Sequence, residues 1–460
     1  MKKRIHTRYV CQNCGNESPR WMGKCPECGS WNSYTEERMT HEAAARSEIP
    51  ASAPLSILNI EAGESRRIRT SIAEFDRVLG GGIVPGSVVL IGGAPGIGKS
   101  TLLLQVCGAL ARGGMKILYV SGEESLHQIK MRAQRIGVES GSLFLSNENH
   151  AGAVADLIRR EKPGLAVVDS IQTVYLPDME SLPGNVSQVR YCAHELTDAA
   201  KKEDIPLFLV GHVTKEGNLA GPRVLEHLVD CLLLFEGDQQ HLYRLLRSVK
   251  NRFGSTQEVG IFEMTDRGMT EVLNPSGYLL SQHRDGTSGS VVTVSLEGTR
   301  PLLVEVQALV SQTVYGMPQR TATGLDQRRM SVLIAVLEKR LGLRFGNQDV
   351  FLNAAGGMDL SEPGVDLAVV CAMVSSLKDR PLPPGTVVAG EVGLAGEVRG
   401  ISHMDLRIAE AGRLGFKQMV IPRANLKGLK KHQDVKLLDA DSISEAVSHL
   451  FGDRKNGTGA

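Results

Sequence analysis

Residues 93 to 101 read Gly93-Ala94-Pro95-Gly96-Ile97-Gly98-Lys99-Ser100-Thr101, between the apolar run Ser87 to Ile91 and the helical pattern Leu102 to Val106. A strand that ends in glycines turns sharply enough to aim successive backbone N–H groups at a phosphate, and the helix that follows presents its positive dipole end to the same anion. Gly93, Gly96 and Gly98 keep side chains out of the way, Lys99 is placed to reach the β- and γ-phosphates, and the Ser100 hydroxyl is placed to ligate Mg²⁺. The segment is a phosphate-binding loop and demands an α/β fold around it.

At 460 residues the chain exceeds a single ordinary core, and roughly 150 residues per domain suggest about three units. Hydrophobic residues at 42%, charged residues at 22% and 50 glycines fit a glycine-rich globular α/β protein, not a disordered one. The net charge of +1 means that a nucleic-acid partner must be held by local basic patches or by an oligomer's inner surface. No apolar run is long enough to span a bilayer, and Met1 to His6 is not followed by a signal-peptide core. A cytoplasmic protein without a membrane partner is expected.

The eight cysteines form two groups. Cys107, Cys192, Cys231 and Cys371 lie singly in apolar segments and read as small buried hydrophobes. Cys11, Cys14, Cys25 and Cys28 make two Cys-x2-Cys turns, each able to aim two thiolates at one ion, and together they close a tetrahedral Zn²⁺ site. In a reducing compartment disulfides are the weaker reading. About 30 residues containing Trp21 and Trp31 bury too little to fold alone, so the metal supplies the missing free energy.

Residues 36 to 58, which include Pro50 and Pro54, lack strand periodicity and read as a linker. From Ile60 to about Leu280, apolar strand-like runs alternate with longer amphipathic stretches: Val88 to Ile91, Ile117 to Val120, Leu143 to Leu145, Leu165 to Val168, Leu207 to Val210, Cys231 to Phe235 and Tyr243 to Val249. That pattern predicts a mainly parallel sheet with helices on both faces. A second α/β unit follows from Ser290, with a helix over 328–341, and the polar tail from Gly452 is expected to fray.

Several strand ends carry chemistry. Asp169 ends Leu165 to Val168, where a carboxylate can hold the water shell of Mg²⁺, a helix cap being the alternative. Glu123 and Glu124 follow the strand Lys116 to Ser121; Glu123 is preferred over Glu124 as the base or water-orienting group, a surface Glu pair opening the helix at Ser125 being the alternative. His212 follows Leu207 to Gly211 and is a candidate γ-phosphate switch, a locally satisfied histidine being the alternative. The loop Lys215 to Arg223 suits a DNA-contacting segment or a solvated turn. Lys250 and Arg252, in Lys250-Asn251-Arg252-Phe253-Gly254, lie one residue apart and far along the chain from Lys99; they suit cations that serve a neighbouring subunit's ATP in trans, or else a simple basic turn.

Taken together, the four-cysteine finger, the phosphate loop, the pentapeptide Lys250 to Gly254 and the C-terminal α/β unit resemble the RadA (Sms) family of bacterial DNA repair proteins across nearly the whole chain. The resemblance implies an α/β protein with a zinc ribbon at 1–35, a linker at 36–58, a RecA-like ATPase domain at 59–285, a connecting segment that opens a Lon-protease-like domain at 286–348, and the rest of that domain at 349–460. It implies a DNA-dependent ATPase of homologous recombination that uses ATP, Mg²⁺ and Zn²⁺. It further implies a homo-hexamer that drives branch migration or unwinding and engages single-stranded DNA, branched DNA and a RecA-type recombinase.

Active Lon-type proteases use a serine–lysine dyad. Here Asp366, in Glu362 to Ala368, stands where the serine is expected, and Asp405 falls where the lysine is expected. An aspartate pair cannot perform that acyl transfer, so the unit is expected to be an inert protease scaffold. On it Lys378, Arg380, Arg399, Arg407, Arg413, Lys417 and Arg423 form a candidate basic surface for DNA, a merely solvated charged surface being the alternative. The competing readings are an ATP-dependent protease, which the missing dyad opposes, and an ATP-switched DNA-binding module without motor activity, which Glu123 opposes.

Overall fold

The computed structural model describes residues 5–40, 56, 67–179, 181–212, 225–237, 243–314, 316–430 and 434–452. The chain divides into two compact units, Met1–Val272 and Leu273–Ala460. The division falls earlier than residue 285 because the helix Pro275–Leu279 belongs to the second unit. Its Ser276 accepts the Leu303 N–H and donates to Glu410.

The first unit opens with a small antiparallel sheet, β1 (Ile5–Cys11), β2 (Glu17–Ser18) and β3 (Tyr34–Thr40), in the order β2-β1-β3. Residues 36–40 are therefore strand and not linker: they pair with β1 from Ile5↔Thr40 to Cys11↔Tyr34. Residues 41–55 and 57–66 lie outside the described residues.

Among the described residues, nine strands build the large sheet of this unit. They are β4 (Val88–Gly93), β5 (Ile117–Ser121), β6 (Leu143–Ser146), β7 (Leu165–Asp169), β8 (Leu207–Val210), β9 (Cys231–Glu236), β10 (Tyr243–Asn251), β11 (Val259–Thr265) and β12 (Gly268–Glu271). Their order is β12-β11-β10-β9-β4-β8-β7-β5-β6; β4 to β9 run parallel, while β10 to β12 extend the sheet antiparallel. Alternate residues of β4 enter different cores, as a pleated strand buried on both faces requires. Val89 and Ile91 pack with α1 (Ala73–Val78), α2 (Lys99–Arg112) and α3 (Leu126–Arg135). Val88 and Leu90 pack with α4 (Ala151–Glu161) and α5 (Val186–Lys202) on the other side. The parallel strands deliver their carboxyl ends to one edge, where ligands of open α/β sheets bind.

In the second unit the seven-stranded sheet has the order β15-β16-β14-β13-β17-β20-β21. Its strands are β13 (Ser290–Glu297), β14 (Arg300–Gln312), β15 (Arg320–Thr323), β16 (Gln348–Ala354), β17 (Thr386–Val388), β20 (Gln418–Pro422) and β21 (Lys436–Ala440), with β18 (Glu391–Val392) and β19 (Val398–Arg399) as a separate ribbon. Its helices are α6 (Pro275–Leu279), α7 (Gln327–Leu341), α8 (Asp366–Lys378), α9 (Met404–Arg413) and α10 (Ile443–Phe451). The α7 helix starts where Asp326 accepts the Arg328 and Arg329 N–H groups. Residues 453–460, where fraying was expected, lie outside the described residues.

Candidate functional site

The phosphate loop leaves the carboxyl end of β4 and enters α2 through Gly98, whose φ of 115° belongs to glycine. A Cβ there would lie 2.7 Å from the Met264 methyl, and one at Gly93 would lie 2.9 Å from the Phe235 Cβ. Lys99 folds back over the loop and donates to the carbonyls of Gly93 (2.8 Å) and Ala94 (3.0 Å). Burial holds its ammonium down to about 8, with Asp169 and Glu123 pulling the other way. A lysine so desolvated gains from an anion. Ala94, Pro95, Gly96 and Ile97 complete the loop, and Ser100 and Thr101 sit in the first turn of α2.

Register brings the carboxylates to this edge. Ser121 pairs with Asp169, so the turn after β5 and the end of β7 lie side by side. Asp169 is buried and its Oδ2 accepts the Tyr119 hydroxyl at 2.5 Å. Glu123 accepts from Ser170 Oγ (2.5 Å) and contacts His212 Nε2 (3.1 Å), while His212 Nδ1 lies 3.2 Å from Lys99 Nζ. The His212 hydrogen bond, against the effect of burial and with help from Ser170, holds the Glu123 carboxyl down to about 2. Glu124 turns away to Arg132 (2.9 Å) beside the capping box that Ser125 and Gln128 build for α3. The geometry thus joins Lys99, Glu123, Asp169 and His212 at one loop. Ser100 and Asp169 supply the hard oxygen donors that a Mg²⁺ ion takes.

Lys250 and Arg252 lie elsewhere. Because β10 is antiparallel, Asn251 pairs with Cys231 at the start of β9, which in turn pairs with Val89 at the start of β4. The pentapeptide therefore sits at the opposite edge of the sheet, separated from the loop by the length of β4, about 17 Å at a rise of about 3.3 Å per residue. Lys250 Nζ donates to the Glu226 carbonyl (2.5 Å) and Arg252 Nη1 to Asp230 Oδ1 (3.2 Å). Asn251 fixes the turn by accepting the Phe253 N–H (2.9 Å). Gly254 packs on Gly80, where a Cβ would meet the facing Cα at 3.1 Å. The loop Lys215 to Arg223 lies outside the described residues.

The four cysteine Sγ atoms lie within 4.8 Å of one another, with Cys11 to Cys28 at 3.7 Å and Cys14 to Cys25 at 3.5 Å. A tetrahedron of Zn–S bonds of about 2.3 Å sets its sulfurs about 3.8 Å apart, so the residues fit zinc. Trp21 and Trp31 are exposed, and among the described residues the module's buried hydrophobic residues are Val10, Cys11, Cys25 and Tyr34, too few to hold it without metal. The four scattered cysteines are buried, and burial pushes the thiols of Cys192, Cys231 and Cys371 up to about 12.

In the second unit Asp366 opens α8 at the wall of a cavity of about 150 Å³. It is buried, paired through both oxygens with Arg329, and accepts the Val392 N–H. Asp405 accepts the Lys430 N–H (3.0 Å) on α9. Of the seven cations expected to form a basic surface, Lys378, Arg380, Arg399, Arg413, Lys417 and Arg423 are exposed and Arg407 is not. Arg407 is fully buried and donates to Glu362, Val294 and Ser402, because a guanidinium whose donors are all satisfied can leave solvent. Arg399 pairs with Glu391 and Glu397, Arg413 with Glu410, and Arg423 with Asp439, Asp441 and Glu445. Sequence reasoning missed Tyr119, Ser170 and Asp230. Ser170 was legible as the neighbour of Asp169; Tyr119 looks like an ordinary buried strand residue.

A phosphate loop at the carboxyl edge of a parallel sheet, faced by two carboxylates, defines a P-loop ATPase, here joined to a four-cysteine metal ribbon and a second α/β unit. Three family profiles match in that order: a rubredoxin metal-binding domain over residues 9–36, an AAA domain over 55–218, and a Lon protease (S16) C-terminal proteolytic domain over 342–451. Proteins named DNA repair protein RadA are similar along their length. That of Bacillus subtilis (strain 168) is 52% identical, covering 97% of this chain and 99% of the relative. That of Listeria monocytogenes serovar 1/2a is 49% identical, covering 98% and 100%. That of Streptococcus pyogenes serotype M1 is 48% identical, covering 96% and 98%. The chain belongs to the RadA family of DNA repair proteins. A KaiC-like protein from Pyrococcus horikoshii OT3 is 19% identical, with a TM-score of 0.39 over 45% of this chain and 99% of that one. Among the described residues no helix is long and apolar enough to cross a membrane.

Proposed function

We propose that this chain is a DNA-dependent ATPase of homologous recombination, acting in the cytoplasm as a homo-hexamer that drives branch migration or unwinding on single-stranded and branched DNA beside a RecA-type recombinase. ATP sits on Gly93 to Thr101, with Lys99 on its phosphates and Ser100 and Asp169 holding Mg²⁺, which neutralises charge on the transferring phosphoryl group. Glu123, ionised at neutral pH, orients the attacking water, and His212 reports the γ-phosphate to the loop that follows it. Lys250 and Arg252 serve the neighbouring subunit's nucleotide.

One observation carries this reading: the catalytic carboxylates and the pentapeptide cations occupy opposite edges of one sheet. Cations about a strand's length from their own loop are out of reach of their own ATP, and a ring supplies the missing proximity. The Arg329 pairing of Asp366 supports an inert protease scaffold. It leaves no group at that position able to act as an acyl-transfer nucleophile.

Mixing tests the assignment. Arg252→Ala subunits should bind ATP without turning it over, and Lys99→Ala subunits should be inactive. Rings containing both juxtapose intact loops and intact donors, so single-stranded-DNA-stimulated hydrolysis partly returns. An arginine finger is worth roughly 10³ to 10⁵ in rate, which leaves ample range. Absence of recovery in rings shown to be mixed refutes action in trans.

A further inference from the structure

Asp230 lies between the pentapeptide and the strand that carries the phosphate loop. Its carboxylate is buried, yet three donors converge on it. Oδ2 accepts the backbone N–H of Val88 at the first residue of β4 (3.0 Å), and Oδ1 accepts Lys201 Nζ (3.0 Å) and Arg252 Nη1 (3.2 Å). Its main chain is tied to the same partners: its N–H donates to the Val88 carbonyl (2.9 Å) and its carbonyl accepts the Arg252 N–H (3.0 Å). The Asp230 side chain is 5% exposed, whereas the Arg252 side chain is 54% exposed. A buried carboxylate that accepts from two cations and a backbone N–H fixes the groups it touches. Arg252 is thus anchored at one nitrogen, with the rest of its guanidinium open to solvent and to another molecule. A long exposed side chain loses rotamer freedom when it meets a phosphate, and holding it beforehand reduces that loss.

We propose that Asp230 is the positioning residue for Arg252, presenting its guanidinium to the neighbouring subunit's nucleotide from an anchor shared with the first residue of the phosphate-loop strand. This rests on the reading that Arg252 acts in trans. The Val88 bond gives the arrangement its rigidity, because that end of β4 is paired on both sides, with β8 and β9. The anchor predicts a defect of the donor subunit, not of the subunit whose ATP is hydrolysed. A merely structural role at β4 would instead damage the subunit's own loop.

Asp230→Asn keeps an acceptor for Val88 and removes the charge that holds Arg252. It is expected to lower kcat for single-stranded-DNA-stimulated hydrolysis about tenfold, with KM for ATP within about twofold and an unchanged melting curve. The deciding measurement mixes it with Lys99→Ala subunits, which have no active loop but an intact Asp230 and Arg252. The rate per Asp230→Asn subunit should rise several-fold in rings shown to be mixed, because its intact loop now faces intact donors. No rise, or a raised KM without a fall in kcat, overturns the proposal. If Asp230→Asn does not fold, Asp230→Glu keeps the charge but displaces it by one methylene, and must show the same rise on mixing. Arg252→Ala with Lys99→Ala separates the two levels. Recovery there with none for Asp230→Asn sinks the anchor alone, and no recovery in either mixture removes the trans reading and the anchor with it.

Discussion

His212 Nε2 lies 3.1 Å from Glu123 Oε1 while its Nδ1 lies 3.2 Å from Lys99 Nζ, so one imidazole joins the loop lysine to the carboxylate. An ammonium has only donors, so Nδ1 accepts, and the ring proton sits on Nε2 and is donated to Glu123. A γ-phosphate that draws Lys99 away breaks the first of these bonds. The ring is then free to reorient together with the residues after it, a physical route from nucleotide to loop.

His212→Ala removes that route but leaves Lys99 and Glu123 in place. ATP binding should persist, measured by fluorescent-nucleotide titration, while the stimulation of hydrolysis by single-stranded DNA falls at least tenfold. Unaltered stimulation would show His212 to be a locally satisfied histidine.

Lys99→Ala and Glu123→Gln should separate binding from chemistry. The first abolishes hydrolysis and weakens nucleotide binding, since Lys99 acts on phosphate. The second retains binding and loses turnover by roughly 10² to 10⁴, the usual share of a positioned base. Zinc content should match the parent in both, because neither residue contributes to the metal ribbon.

Cys28→Ser should release the metal and unfold residues 5–40 while the large sheet of the first unit survives, because that sheet has two buried cores of its own. Zinc quantification and amide exchange report the two effects separately. Retention of one zinc per chain would refute the four-cysteine site.

Glu362→Ala leaves the fully buried Arg407 guanidinium without its carboxylate. Stranding one partner of a buried pair costs roughly 3–5 kcal/mol, so the second unit should melt early. Arg407→Ala breaks the same pair from the other side and should lower the melting temperature of the second unit as well.

The stability of the second unit should also depend on pH through His283. Its Nδ1 lies 3.2 Å from Glu305 and its Nε2 3.6 Å from Asp285, and the Glu305 hydrogen bond raises its pKa above 6.5, against the effect of burial. A raised folded-state value means stabilisation that is fully present below pH 6.5 and lost as pH rises through the higher folded value. Denaturant midpoints taken between pH 6 and 9 should fall in the parent and flatten in His283→Gln.

The sequence alone determined what short spacing encodes: a strand, a glycine loop and a helix for phosphate, two Cys-x2-Cys turns for zinc, and the alternating runs of the parallel sheet. Each is a local pattern whose chemistry is complete within a few residues. Asp169 and His212 were legible because strand ends at one edge of a parallel sheet converge. Tertiary structure decided the rest, since partners far apart in the chain meet only through register. It separated Glu123 from Glu124 by giving the second to Arg132, and it drew 36–40 into a strand by pairing them with β1. It paired Asp366 with Arg329, and it removed Arg407 from the surface by placing Glu362 beside it. It also put Lys250 and Arg252 at the far edge of the sheet, because the antiparallel turn of β10 reverses the chain, which no composition or motif records.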